Sequence, residues 1–300
     1  MPAIRTTLAQ FLRGQRGQET ADEFDALVLN IARSCRQIAE RLAAGKWGAE
    51  ETGGRTLRVR GRYLTVFTPL GGAEPAEPAG SIFSVLPALA SGTPGDHLPG
   101  SEQLCAGCVS YGAATVLMLT TGDGVSAFTL DPSAGEFVLT RSMIRLPTPS
   151  NVISVVTSDR HPSDPAVRRY VDECRDGACG SRGRDFTLHS TTSLAAGAHR
   201  LLTEGGVLLC PPRPHLVFEA NPVALLVEQA GGLASTGRRR VLDVAPAGAD
   251  QRTGLAVGAP EEVRRIEAYH GELTPGGPRR TGTGLEIPFF SSRGLFRVGG

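Results

Sequence analysis

The chain has 300 residues, 40% of them hydrophobic and 20% charged, with 31 Lys and Arg against 30 Asp and Glu and a formal net charge of +1. This is an ordinary globular composition, long enough to bury a large core. The charge balance gives no electrostatic case for nucleic acid or an anionic membrane as partner. No stretch reaches the roughly 18 apolar residues of a bilayer span. Arg5, Gln10 and Arg13 interrupt any signal-like core at the N-terminus. A cytoplasmic protein is the expectation.

Thr6–Leu12 and Asp22–Ala44 read as helices. In the second, Phe24, Leu27, Val28, Ile31, Ala32, Cys35, Ile38, Ala39 and Leu42 recur at helical spacing. Trp47 to Gly61 reads as a short polar bridge. Tyr63–Phe67 reads as a strand that breaks at Thr68-Pro69-Leu70-Gly71-Gly72, and Ser81–Leu86 as a second apolar run. Ala73–Gly80 and Ala90–Gly100 are Pro/Gly/Ala-rich loops. Closely spaced strands follow at Cys105–Tyr111, Ala114–Thr120, Ser126–Asp131, Glu136–Arg141 and Val152–Thr157. Asp164–Cys174 is a helix that starts at Asp-Pro. Ser193–Thr203 is a helix and Gly206–Cys210 a strand. Asn221–Ala230 is a helix with Asn221 as N-cap and Pro222 at the first turn. Six irregularly spaced Cys do not make a disulfide framework. Cys105 and Cys108 read as buried thiols on an apolar strand, and Cys174 and Cys179 as flanking an exposed loop, with a local disulfide or a weak metal clip as the alternatives. Arg238-Arg239-Arg240 and Arg279-Arg280 read as solvated turns.

Intermixed helices and antiparallel strands favour a layered α/β protein. The runs YGAATVLMLTTGDGVSAFTLDPSAGEFVLT (Tyr111–Thr140), HRLLTEGGVLLCPP (His199–Pro212) and FEANPVALLVEQAGGLASTGRRRVLDVAP (Phe218–Pro246) resemble the class I fructose-1,6-bisphosphatase family. GSIFSVLP at Gly80–Pro87 fits it as well. The resemblance is collinear over most of Thr7–Val263. It implies a layered α/β/α/β/α sandwich and assembly into dimers or tetramers. The chain then divides into an N-terminal α/β half (residues 1–150) with a shortened metal-site segment, a C-terminal α/β half (151–270), and a Gly/Pro-rich tail with an apolar end (271–300).

The family chemistry is metal-assisted hydrolysis of a phosphate ester. Hard divalent ions need carboxylate oxygens, and two or three of them hold the phosphate and activate water. The family takes these carboxylates from a Glu-Glu pair, a DPLDGS motif and an ECNP-like motif. Here Glu219 in Phe218-Glu219-Ala220-Asn221-Pro222 matches the last. Thr68-Pro69-Leu70-Gly71-Gly72-Ala73 stands for the second, so that Thr68 and Gly71 replace two Asp ligands and Ala73 a Ser. Glu50 and Glu51 are adjacent but read as exposed loop charges. The family's substrate-binding Asn and Tyr align with Val156 and Arg160, an Arg donated across an interface with His189, and a sugar-contacting Tyr with Cys210. Arg213 matches a basic residue expected near the sugar phosphate.

These departures predict that the two-metal phosphatase site is gone. No cofactor is expected, with magnesium admitted only if Glu74 and Glu77 serve as substitute ligands. The first expectation is metal-independent acid–base chemistry on a small substrate in the old cavity. Glu219, His189, His215 and Thr68 would carry the chemistry, and Arg213, Thr192, Ser193 and Arg160 would bind the substrate. The alternatives are a non-catalytic sugar-phosphate binder or regulatory family member, and residual fructose-1,6-bisphosphate 1-phosphatase activity through altered ligands.

Overall fold

In a computed structural model the residues described are 5–15, 21–46, 54–71, 79–89, 98–156 and 164–273. The chain enters through helices α1 (Leu8–Gln15) and α2 (Ala21–Ala43). The apolar spacing of α2 turns Phe24, Val28, Ile31, Cys35 and Ile38 inward, all buried. They pack on one face of a seven-stranded antiparallel sheet. Its strands run in chain order: β1 (Thr56–Arg60), β2 (Tyr63–Gly71), β3 (Ala79–Pro87), β4 (Cys105–Tyr111), β5 (Thr115–Thr120), β6 (Val125–Asp131) and β7 (Glu136–Ile144).

The second sheet has the order β11-β12-β10-β8-β9, from β8 (Val152–Val156), β9 (Thr187–Thr191), β10 (Val207–Cys210), β11 (Leu233–Ser235) and β12 (Leu255–Gly258). Strand β8 pairs in parallel with both β9 and β10. Helices α4 (Leu194–Glu204) and α5 (Asn221–Gln229) fill the space between the sheets. There Ile82, Cys108 and Met118 of the first sheet meet Leu201, Leu226, Leu208 and Val257 in one core cluster. Helices α3 (Pro165–Arg175) and α6 (Pro260–Leu273) cover the outer face of the second sheet through Tyr170, Val263 and Ile266 against Ile153 and Leu209. The layers are therefore α/β/α/β/α, as expected from the resemblance.

Four expectations need correction. Strand β2 does not break at Thr68 but continues to Gly71, with its register against β3 shifting between Thr68 and Gly71. A bulge of this kind accommodates Pro69 within a sheet. The bridge before it is not merely polar, because Thr56–Arg60 pairs antiparallel with β2. Asn221 does not cap α5: a turn of π-helix, Leu216–Ala220, runs straight into the helix and puts Asn221 in helical conformation. Cys174 and Cys179 are both free, one buried and one exposed. Cys105 and Cys108 are buried in β4 and enter different core clusters on its two faces. Four further elements not expected from sequence are β9, α6 and the short strands β11 and β12.

Candidate active site

The parallel strands β8, β9 and β10 end together at Val156, Thr191 and Cys210, and ligands of α/β sheets collect at such carboxyl ends. Helix α4 starts at this edge. Ser193 caps it, with Oγ accepting the Ala196 N–H at 3.2 Å, and the side chain is fully buried. Thr191 Oγ1 accepts the Ser193 N–H at 3.2 Å, and Thr192 is half-buried in the same turn. Gly80 of β3 lets the start of α4 lie directly on the first sheet. A Cβ there would collide with Ala195 Cβ and come within 2.7 Å of the Val109 carbonyl oxygen.

The other wall is the loop after β10 and the π-helical turn. Glu219 Oε2 accepts the His215 backbone N–H at 2.8 Å and lies 3.1 Å from His215 Nδ1. Phe218 packs edge-on against the His215 ring, with 6.2 Å between centroids, and Arg55 lies 5.1 Å above the Phe218 ring. Val217 and Phe218 join Val66 and Leu86 in a small core cluster, which docks the turn on β2 and β3. Strand alternation puts Thr68 on the same face of β2 as Leu64 and Val66, toward that turn. Arg213 is exposed. The Cys210 thiol is pushed up to about 12, first by burial and then by the charge of Glu219, with Arg213 working the other way. Cys210, Arg213 and Glu219 are therefore electrostatic neighbours.

The structure thus brings together Glu219, His215 and Arg213 in one wall, with Thr68 on the facing strand. His189 stands on edge strand β9, opposite Ser154 in register and two residues short of the strand end. Among the described residues no hydrogen bond or ion pair joins it to Glu219, whose imidazole partner is His215. The hydroxyl of Ser193 is engaged in capping. Arg160, Glu50, Glu51, Glu74, Glu77 and the tail from residue 274 lie outside the described residues.

A buried polar chain behind the β2 bulge was not anticipated from sequence. Ser81 donates its hydroxyl proton to the Pro69 carbonyl, so the Tyr111 hydroxyl donates to Ser81 Oγ at 2.7 Å. Burial pushes the Cys35 thiol up to about 12, and a hydrogen bond with Tyr111 works in the opposite direction. This chain ties α2 to the backbone of the segment that carries Thr68.

Family models for fructose-1-6-bisphosphatase match the chain twice, the N-terminal domain over residues 53–142 and the C-terminal domain over 146–271. A fructose-1,6-bisphosphatase class 1 protein of Methylibium petroleiphilum is 36% identical over 99% of both chains. The chain belongs to the fructose-1,6-bisphosphatase family. A class 1 relative from Methylobacillus flagellatus is 44% identical over 230 residues, which is 72% of this chain and 70% of the relative. Among solved structures, Leishmania major fructose-1,6-bisphosphatase in its holo form superposes with a TM-score of 0.79 at 26% identity. It covers 89% of this chain and 99% of its own. The Methylibium alignment runs over 359 positions although this chain has 300, so the relative carries sequence with no counterpart here.

The family's divalent metals can be tested against the donors present. Thr68 offers one neutral hydroxyl, Gly71 offers no side-chain donor, and one oxygen of Glu219 is engaged by His215. No group of three or more His, Cys, Asp and Glu that could hold a metal ion occurs among the described residues. A single carboxylate does not supply the oxygen shell that a magnesium-type ion requires. The described donor set does not fit the metals. Nor does any helix among the described residues have the length and apolarity to cross a membrane.

Proposed function

We propose that this family member binds a phosphorylated sugar in the crevice between the β8–β10 strand ends and Thr68, and that it does so without the two-metal centre. Arg213 anchors the anionic group. Glu219 and His215 form the acid–base pair, and their spacing of one helical turn keeps a carboxylate and an imidazole in contact at the crevice wall. His189 lines the β9 edge and shapes the pocket. The protein acts as a homo-oligomer in the cytoplasm. The observation that carries this reading is the described donor set, in which Glu219 is paired with His215 and Thr68 stands where the family's Asp ligand would be.

A second reading is favoured by the relatives at 36% to 44% identity that are named fructose-1,6-bisphosphatase. In that reading the chain hydrolyses fructose 1,6-bisphosphate through metal ligands other than Thr68 and Gly71.

Titration calorimetry with fructose 1,6-bisphosphate, in EDTA and then in manganese, separates the two when paired with a phosphate-release assay. The first reading expects binding in EDTA, about tenfold weaker in Arg213→Ala, and no phosphate release in EDTA or in manganese. Metal-dependent phosphate release would overturn it in favour of the second.

A further inference from the structure

We infer that the outer edge of β1 is a docking site for an acidic polypeptide segment in extended conformation, which joins the first sheet as an added strand. None of the residues of this edge is assigned to the crevice, so it stands apart from the function proposed there.

Strand β1 ends the seven-stranded sheet, and among the described residues it pairs only with β2. Alternate residues of an edge strand turn their N–H and C=O groups away from the neighbouring strand. Among the described residues, Thr56–Arg60 make no backbone hydrogen bond outside the β1–β2 ladder. Arg58, Val59 and Arg60 are all exposed, and Val59, at 63%, is the most exposed large hydrophobic side chain among the described residues. Such an edge is a template for strand addition, in which main-chain hydrogen bonds hold the partner and alternate side chains select it.

The charge on this edge decides what can occupy it. Arg55, Arg58, Arg60 and Arg62 fall within a stretch, Arg55 to Arg62, that contains no Asp or Glu. Arg55 is paired with Asp250 at 3.3 Å and Arg62 with Glu23 at 3.9 Å, whereas no ion pair among the described residues involves Arg58 or Arg60. Strand alternation puts Arg58 and Arg60 on one face, roughly 7 Å apart, and Val59 on the other. A second copy of β1 paired about Val59 would set Arg58 against Arg60, and like charges directly opposite oppose pairing. Residues 274–300 of this chain carry four Arg against one Glu and are disfavoured in the same way. A strand with acidic residues at alternate positions places them at the same spacing opposite Arg58 and Arg60. An apolar residue between them covers Val59. Basic side chains that deter self-association at an edge thereby select an acidic partner.

The test uses the full chain and a fluorescein-labelled peptide in which Glu and Val alternate. It has two counterparts, one with Lys in place of Glu and one N-methylated at every peptide bond, which keeps the charges but has no backbone donors. Fluorescence anisotropy should show saturable binding of the acidic peptide and of neither counterpart. Arg58→Ala/Arg60→Ala should weaken that binding by about tenfold or more. Arg58→Glu/Arg60→Glu should abolish it and transfer binding to the Lys peptide. Both arginines are exposed, so the thermal midpoints of the variants should match the parent's, and the transfer itself reports an intact edge. Absence of saturable binding would overturn the inference, because an edge already taken by a second copy or by residues 274–300 has no room for the peptide. Binding that ignores the Ala or Glu changes, or a folded Glu variant that fails to take the Lys peptide, would overturn it too. Equal binding of the N-methylated peptide would do the same, since it would leave charge attraction without an added strand.

Discussion

Glu219 reaches back one π-helical turn to His215 and engages it twice, through the backbone N–H at 2.8 Å and the ring Nδ1 at 3.1 Å. The two contacts have different chemical requirements. The backbone donor needs any acceptor oxygen, whereas the ring contact gains from a negative charge. Glu219→Gln should therefore keep the fold within about 1 kcal/mol, since the amide oxygen can still accept. Glu219→Ala leaves a buried N–H unpaired and should cost about 1–3 kcal/mol. Urea unfolding of the two variants checks this, and equal losses would show that the carboxylate does not cap the turn. In the acid–base reading both variants lose activity alike, so activity and stability separate only in Glu219→Gln.

Thr68 is 5% exposed, and its Oγ1 has no hydrogen-bond partner among the described residues. A hydroxyl buried this way costs free energy that an isosteric methyl would not. Thr68→Val is expected to raise stability by about 1 kcal/mol, visible as a higher thermal midpoint of the unliganded protein. A lower midpoint would mean that the hydroxyl has a partner in the folded protein.

What could be read from sequence followed the strength of the apolar pattern. Helix α2 shows its buried stripe from Phe24 to Ile38, and strands β4 to β7 alternate or run apolar between clear turns. Strand β1 was obscured because Arg58 and Arg60 charge a run of only five residues. Edge strand β9 carries Thr187, His189, Ser190 and Thr191, a polar set that does not resemble a buried strand. Helix α6 buries Val263, Ile266 and Tyr269 but surrounds them with Glu and Arg. At the site, Glu219 and Arg213 were legible through the family pattern. The pairing of Glu219 with His215 was implicit in their spacing of four, yet His189 was weighed equally because spacing alone does not place an edge strand. Ser193 was assigned to substrate binding, whereas its buried hydroxyl caps α4. The continuation of β2 past Pro69 depends on tertiary support from Ser81 and Tyr111, which no local propensity encodes.

Glu262 is the centre of a buried network on the outer face of the second sheet. Arg182 donates to both its oxygens at 2.7 Å, Arg184 donates at 2.6 Å, and the Tyr170 hydroxyl donates at 2.6 Å. The side chains of Arg182 and Glu262 are each 3% exposed. Glu262→Ala leaves a buried guanidinium without its counter-ion and should cost about 3–5 kcal/mol. Arg184 is partly exposed, and Arg184→Ala should cost no more than about 1 kcal/mol. Denaturant unfolding of the two variants side by side checks the ordering. A small effect for Glu262→Ala would mean that Arg182 finds water or another acceptor.

Asp164 begins α3 and links it to α6. Its Oδ1 accepts the backbone N–H groups of Ala166 and Val167 at 2.8 and 3.0 Å, and Oδ2 lies 3.0 Å from His270 Nε2. Burial works to raise its pKa. The N–H of Val167, the His270 ring and the N–H of Ala166 together outweigh that and hold the carboxyl below its ordinary value of 3.8. The folded chain therefore takes up this proton less readily than the unfolded chain, and the stabilisation is complete above the unfolded pKa. It is lost as pH falls through the folded pKa. Asp164→Asn keeps a capping oxygen for the helix start but removes the charge. The variant should be less stable than the parent at pH 7. The gap should begin to close below about pH 4–5, where an unfolded carboxylate protonates, and disappear once the folded carboxyl is protonated as well. Thermal midpoints of both proteins from pH 7 to about pH 3 measure this gap. A gap that stays constant across that range would show that the charge of Asp164 is not linked to folding.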